Sequence, residues 1–252
     1  MTLKKFLFAD LDDTLFQTLE KCAVREGLEP AAYYGDGSVC SLTTPAQRAF
    51  FAFASEGMTV IPTTARSLDA FRRVDLGFTS YAVLDFGGVI LLPDGSIDRD
   101  WQGMMHEQMH AALPGLQALA ERIDAHAGRT GFKGRARLVE DAGTPFFLVV
   151  KDPDKIATNL LPIEDEVVRP WIADGHQDYC VHRNGNNLAI LPTSLDKANA
   201  VAYVTQRLRR EHGDIITFGM GDSRSDARFM ADCDYAIIPR RTQLSKLTVE
   251  AL

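Results

Sequence analysis

The run Phe6-Leu-Phe-Ala9 is apolar at every position and stops abruptly in Asp10-Leu-Asp-Asp-Thr14. A strand with one face in water alternates apolar and polar residues. One without alternation is covered on both faces, as in a parallel sheet flanked by helices. Similar runs recur at Thr59-Val-Ile-Pro-Thr63, Tyr81-Ala-Val-Leu84, Val89-Ile-Leu-Leu92, Ile215-Ile-Thr-Phe218 and Tyr235-Ala-Ile-Ile238. Helical patterns lie between them. Thr44-Pro45 opens one, with Gln47 placed to complete a capping box, an apolar stripe through Ala46, Ala49, Phe50, Phe53 and Ala54, and Gly57 at its end. A short helix follows from about Ser67, and longer ones are expected over Leu195–His212 and Ser225–Cys233. This alternation predicts an α/β chain built on a doubly wound parallel sheet.

The rhythm breaks in the middle. A helix is expected from about Met105 to Ala127, with Pro114 as a candidate break. Apolar runs follow at Ala136–Val139 and Phe146–Val150, and two more flank Asn184-Gly185, a hairpin signal. Residues 98–190 therefore read as an inserted α+β domain that splits a core made of residues 1–97 and 191–252. The total of 252 residues suits that arrangement better than two sequential domains.

Charge and cysteine usage narrow the function. A net charge of −7 argues against a nucleic-acid binder, which needs a basic face to neutralise phosphates. It leaves room for a small anionic substrate, since the field in a cleft can oppose the net charge. Cys22, Cys40, Cys180 and Cys233 are scattered without a CxxC pair, which fits reduced thiols better than a disulfide framework. The apolar run behind Lys4-Lys5 is too short for a signal peptide, and no stretch reaches the length of a membrane span. The expectation is a soluble cytoplasmic protein, monomer or homodimer, with no nucleic-acid or membrane partner.

Three features fall at the C-terminal ends of expected parallel strands, where open α/β sheets place their ligands. Asp10 and Asp12 follow the first strand, and two carboxylates at that spacing repel unless a cation holds them. Mg²⁺ suits such a pair, because it takes one or two carboxylates plus phosphate and water. Asp222 and Asp226 stand four apart in Gly219-Met-Gly-Asp-Ser-Arg-Ser-Asp226, after the Ile215–Phe218 strand. Thr63 and Thr64 end the second strand, where a hydroxyl and following N–H groups could receive a phosphate. Lys197 is the obvious balancing cation.

Together these stretches resemble the haloacid dehalogenase superfamily of phosphohydrolases, in that family's order. Asp10-x-Asp12-x-Thr14 is similar to its first motif, Thr64 to its second, Lys197 to its third, and Gly221-Asp222-x-x-Ser225-Asp226 to its fourth. The insertion falls where the family's class-two caps sit, and the sugar-phosphate phosphatases (sucrose-phosphate, trehalose-phosphate and mannosyl-phosphoglycerate types) are similar in cap position and motif spelling. Asp13, Ala65 and Ser225 stand where relatives often carry Gly, Gly and Asn. The resemblance implies that Asp10 is a nucleophile forming an aspartyl-phosphate and Asp12 the general acid and base. It implies Mg²⁺ held by the Asp10 carboxylate, the Asp12 main-chain carbonyl and Asp222, with Asp226 in support. Thr64 and Lys197 would bind the transferring phosphoryl group.

Thr63, Arg66 and Arg183 are further candidates for substrate contact, Arg66 because it follows Thr64 and Arg183 because it adjoins the Asn184-Gly185 turn. The expected activity is hydrolysis of a small phosphomonoester, a sugar phosphate or glycosyl-phosphoglycerate. A phosphomutase would use the same residues. A reading of another class comes from His106-Glu107-Gln-Met-His110, which matches the HExxH pattern of zinc peptidases. Its setting, just ahead of Pro114 and without a third ligand at a recognised spacing, reads instead as the polar face of a helix.

Overall fold

The computed structural model describes residues 3–23 and 25–251. The chain forms two units, residues 1–99 with 196–252, and residues 100–195.

In the first unit, β1 (Lys4–Ala9) lies between β4 (Thr59–Pro62) and β11 (Ile215–Met220), and β12 (Tyr235–Ile237) lies beyond β11. All these pairings are parallel. Phe6 through Ala9 are buried, as the missing alternation requires. The register sets Ala9 opposite Met220 on one side and Pro62 on the other. The chain therefore leaves the sheet along one edge at Asp10, Thr63 and Gly221. A parallel bridge from Thr63 to Val83 joins β5 (Ala82–Leu84) to this edge, and β6 (Val89–Leu91) returns antiparallel to β5. The turn between them holds Asp85, Phe86 and Gly87 at positive φ. At Gly87 a Cβ would come within 2.6 Å of the Asp196 carbonyl oxygen, so both φ and space demand glycine.

Helix α1 (Pro45–Gly57) starts with the expected capping box: the Gln47 N–H donates to Thr44 Oγ1 (3.2 Å) and the Thr44 N–H to Gln47 Oε1 (2.9 Å). Its Ala54 packs into a core with Leu7, Leu11, Phe16 and Val60. A four-residue helix α2 (Leu68–Phe71) follows β4, and α6 (Lys197–His212), α7 (Arg224–Ala231) and α8 (Gln243–Leu247) complete this unit. Between β1 and α1 the chain forms an antiparallel hairpin, β2 (Glu29–Tyr33) and β3 (Val39–Thr43), in a stretch whose pattern had announced no element.

In the second unit, α3 (Arg99–Thr130) leads into a four-stranded sheet in the order β7 (Ala136–Asp141), β8 (Thr144–Val150), β10 (Asn187–Pro192) and β9 (Tyr179–Asn184). Its pairings are antiparallel, and the β9–β10 connection is the hairpin expected at Asn184-Gly185. Before β9, α4 (Leu161–Ile163), a π-helical turn (Glu164–Val168) and α5 (Arg169–Ala173) run on as one helical stretch. Leu116, Leu119 and Ile123 of α3 and Trp171 of α5 share a core with Leu148 and Ile190 of the sheet. Pro114 does not break α3, which runs 32 residues. Pro114 and His110 are both exposed, so water can reach the carbonyl that loses its i+4 donor.

Candidate active site

The Asp10 carboxylate stands at the end of β1, buried, with one oxygen accepting from the Thr14 hydroxyl (3.2 Å). Its other oxygen accepts from Lys197 Nζ (2.7 Å), which also donates to Asp226 Oδ1 (2.7 Å). Lys197 is delivered by the start of α6, where Asp196 caps the helix through the Ala198 N–H (2.8 Å). The second Asp226 oxygen accepts from the N–H (3.0 Å) and hydroxyl (2.8 Å) of Ser223, just before α7. Gly221 is what lets β11 turn so tightly over this group: a Cβ there would lie 2.3 Å from the Asp226 Cβ. The result is that Asp10, Asp222 and Asp226 each offer a carboxylate oxygen within 4.8 Å of the others.

Three buried carboxylates thus face one buried ammonium. Burial, with the charges of Asp226 and Asp222, pushes the Asp10 carboxyl well above the usual carboxylate range against the pull of Lys197. Burial, then Asp226 and Asp13, push Asp222 up to about 7. For Lys197, burial alone would lower the pKa, but Asp10 and Asp226 together hold it above the ordinary lysine value. The site is short of positive charge, and its donors are hard oxygens. That chemistry fits a divalent cation of the Mg²⁺ type, which would relieve the repulsion between Asp10 and Asp222.

The expected site residues divide by what they touch. The Thr63 hydroxyl is wholly buried and donates back to the Ile61 carbonyl (3.3 Å), while the Thr63 N–H donates to the Ala9 carbonyl (2.8 Å). Thr64 Oγ1 accepts from the Arg66 N–H (3.1 Å), which leaves its O–H available to donate. Arg66 does not point to an open position: its guanidinium grips both oxygens of Asp12, Nε to Oδ2 at 2.7 Å and Nη2 to Oδ1 at 2.8 Å. Burial would lower the Arg66 pKa, but Asp12 holds it above the ordinary arginine value. Arg183 lies in the other unit, on β9, paired with the buried Glu164 (2.9 Å) alongside Arg169.

His106 and His110 are exposed on α3, and His106 Nδ1 lies 3.3 Å from Thr144 Oγ1. Among the described residues no third ligand gathers with them. They form a polar helix face, and nothing in their surroundings supports a zinc site. Thr14 ends the first-motif stretch and binds Asp10, whereas Ser41 of β3, whose Oγ accepts from Arg66 Nη2 (3.3 Å), had no sequence signal.

No protein-family model and no curated protein matches the chain. Solved structures do. The sucrose-phosphatase of Synechocystis sp., solved with sucrose and phosphate, is 18% identical, with 100% of this chain and 88% of that one covered and a TM-score of 0.54. The C-terminal domain of the trehalose-6-phosphate phosphatase of C. albicans is 11% identical, covering 90% and 73%, with a TM-score of 0.51. A protein of Thermoplasma acidophilum is 13% identical, covering 99% and 98%, with a TM-score of 0.52. At these identities the likeness is one of fold. The chain shares the mixed α/β fold of these structures, a parallel-sheet core interrupted by a second unit.

Proposed function

We propose that the protein is a Mg²⁺-dependent phosphomonoester hydrolase whose substrate is a small sugar phosphate. The observation that carries this reading is the buried Asp10–Lys197–Asp226 bridge beside Asp222, at the C-terminal edge of a parallel sheet. The sucrose- and trehalose-phosphate phosphatases among its structural neighbours support a sugar phosphate as substrate.

Asp10, Asp222 and the Asp12 main-chain carbonyl would hold the metal. When bound, Mg²⁺ supplies positive charge to the carboxylates and to the incoming phosphate. Lys197, held between Asp10 and Asp226, keeps an ammonium beside the nucleophile and so favours the charged phosphoryl group over neutral ligands. The Thr14 hydroxyl fixes the Asp10 rotamer, and the Thr64 O–H donates to a phosphoryl oxygen. An Asp10 oxygen attacks phosphorus as the bond from phosphorus to the sugar oxygen breaks. The departing oxygen takes the bonding electron pair and a proton from Asp12. In the second step Asp12 takes a proton from water, the water oxygen bonds to phosphorus, and Asp10 leaves as a carboxylate. Asp226 stays with Lys197 and Ser223 and orients the lysine. In this reading residues 100–195 are the cap that the family resemblance implies.

The test is a phosphate-release screen over a panel of sugar and glycerate phosphates with Mg²⁺, run on the native protein and on Asp10→Asn. The native protein should release phosphate from at least one sugar phosphate and lose this on chelation. Asp10→Asn should be inactive on all of them. Metal-dependent release that survives Asp10→Asn would refute the nucleophile.

A further inference from the structure

Asp12 has the most exposed carboxylate of the site, its side chain 45% accessible, yet it is not free to turn. A half-exposed Asp with water on one side would sample several rotamers. Here the planar fork of Arg66 takes both oxygens at once, which fixes the carboxylate's plane as well as its position. Arg66 is held in turn from every side. Its N–H is bound by the Thr64 hydroxyl and its carbonyl accepts from the Asp85 N–H (3.0 Å). Its guanidinium lies over the Phe16 ring at 4.9 Å. Nη2 also donates to the Oγ of Ser41 (3.3 Å), a residue only 1% exposed on β3 of the hairpin between β1 and α1, and more distantly to the neighbouring Cys40 Sγ (4.0 Å). A flexible arginine in water would lose rotamer freedom to make such a pair; one already pinned by ring, backbone and hydroxyl loses little.

We propose that Arg66 is a positioning residue for Asp12, and that the β2–β3 hairpin, through Ser41, is the element that keeps it there. This rests on the phosphatase reading above, in which Asp12 hands a proton to the leaving oxygen. A protonated Asp12 retains one bond to Arg66 through its other oxygen and turns its O–H towards the ester. Arg66 then governs where that proton is presented and is not itself a phosphate ligand. The hairpin belongs to the catalytic apparatus although it carries none of the motif residues.

The consequence is a dependence on the leaving group. A sugar alkoxide is a poor leaving group and needs the proton; a dinitrophenolate is a good one and does not. The experiment measures kcat and KM of the native protein, Arg66→Ala and Ser41→Ala on the best sugar phosphate of the panel and on dinitrophenyl phosphate. The comparison is made in kcat/KM, which reports the steps up to release of the leaving group and not the later water step that both substrates share. For Arg66→Ala, kcat/KM on the sugar phosphate should fall on the order of a hundredfold, the usual worth of a positioned acid. The fall in kcat/KM on dinitrophenyl phosphate should be much smaller. Added guanidinium should restore part of the lost kcat/KM on the sugar phosphate. Ser41→Ala, which removes one neutral hydrogen bond and keeps the ion pair, should shift the ratio of the two rates the same way by a smaller factor. It decides the question if Arg66→Ala does not fold. Equal losses of kcat/KM on both substrates would overturn the proposal and leave the phosphatase reading standing, as would a rise in KM at constant kcat on the sugar phosphate. A native protein inert on both substrates would overturn the phosphatase reading and this proposal with it.

Discussion

Asp222 is the residue at which the site's charge imbalance becomes measurable. Its carboxyl is raised from an ordinary 3.8 to about 7, first by burial and then by Asp226 and Asp13, with Lys197 and Lys21 opposing. Asp10, raised by the same surroundings, acts in the same direction. A carboxyl that titrates higher when folded binds a proton that the unfolded chain has already released. The metal-free protein should therefore lose stability as pH rises through the window from 3.8 to about 7, and level off above it. Mg²⁺ binds the deprotonated group, so its stabilising effect should grow across that same window. Thermal melts at about pH 5.5 and about pH 8, with and without Mg²⁺, test this: the metal-induced rise in Tm should be larger at the higher pH. Equal rises at both, or an undiminished rise in Asp222→Asn, would count against a metal at this group. Asp10 and Asp226 were legible because they follow expected strands closely, and Lys197 because the gathered acids call for a balancing cation. The grip of Arg66 on Asp12 was not, because it joins residues 54 apart and Thr64-Ala-Arg-Ser carries no sign of a buried partner.

Among the elements, α1 shows how far local chemistry carries. Its start was readable from Thr44, Pro45 and Gln47 alone, and the capping box forms with both of its hydrogen bonds. Gln47 does more than cap: its Nε2 donates to the Thr14 carbonyl (3.3 Å) and to Gln17 Oε1 (3.2 Å), which ties the helix start to the loop carrying Asp10 and Asp12. Thr44→Ala should cost about 1 kcal/mol of stability. Urea unfolding would show this as a lower midpoint with an unchanged slope. An unchanged midpoint would mean that the box contributes nothing. The hairpin before α1 escaped notice for physical reasons. β2 reads Glu-Pro-Ala-Ala-Tyr, four poor strand formers before one good one, and its register against β3 is irregular. The strands are joined at Asp36-Gly37, with Gly37 at φ +82 and Asp36 accepting from the Ser38 N–H. Pro114 misled in the opposite sense. A proline reads as a break in sequence, but on the wet side of a long helix it costs one hydrogen bond that water replaces.

For the molecule as a whole, the residues assigned to chemistry are not shared between the units. Asp10, Asp12, Thr64, Arg66, Lys197, Asp222 and Asp226 all belong to residues 1–99 and 196–252, and the inserted unit has its own core around Leu116, Leu148 and Trp171. The two ends of the insertion are both anchored on α6. Asp98 accepts from Arg207 and from the Tyr203 hydroxyl (3.2 Å), and Asp196 caps the helix and pairs with Arg228. Tyr203 is two turns along α6 from Asp196, a separation of about 10 Å at 1.5 Å per residue. A linker of about six residues reaches roughly 20 Å and can close that gap. Replacing residues 100–195 by such a linker should leave a folded protein that still releases phosphate from dinitrophenyl phosphate with Mg²⁺. Asp10→Asn in that background should abolish the release. The readings are a cooperative melt and the phosphate assay. A trimmed protein that melts cooperatively but has no metal-dependent activity would show that the inserted unit supplies part of the chemistry, against the assignment of every reacting group to the core.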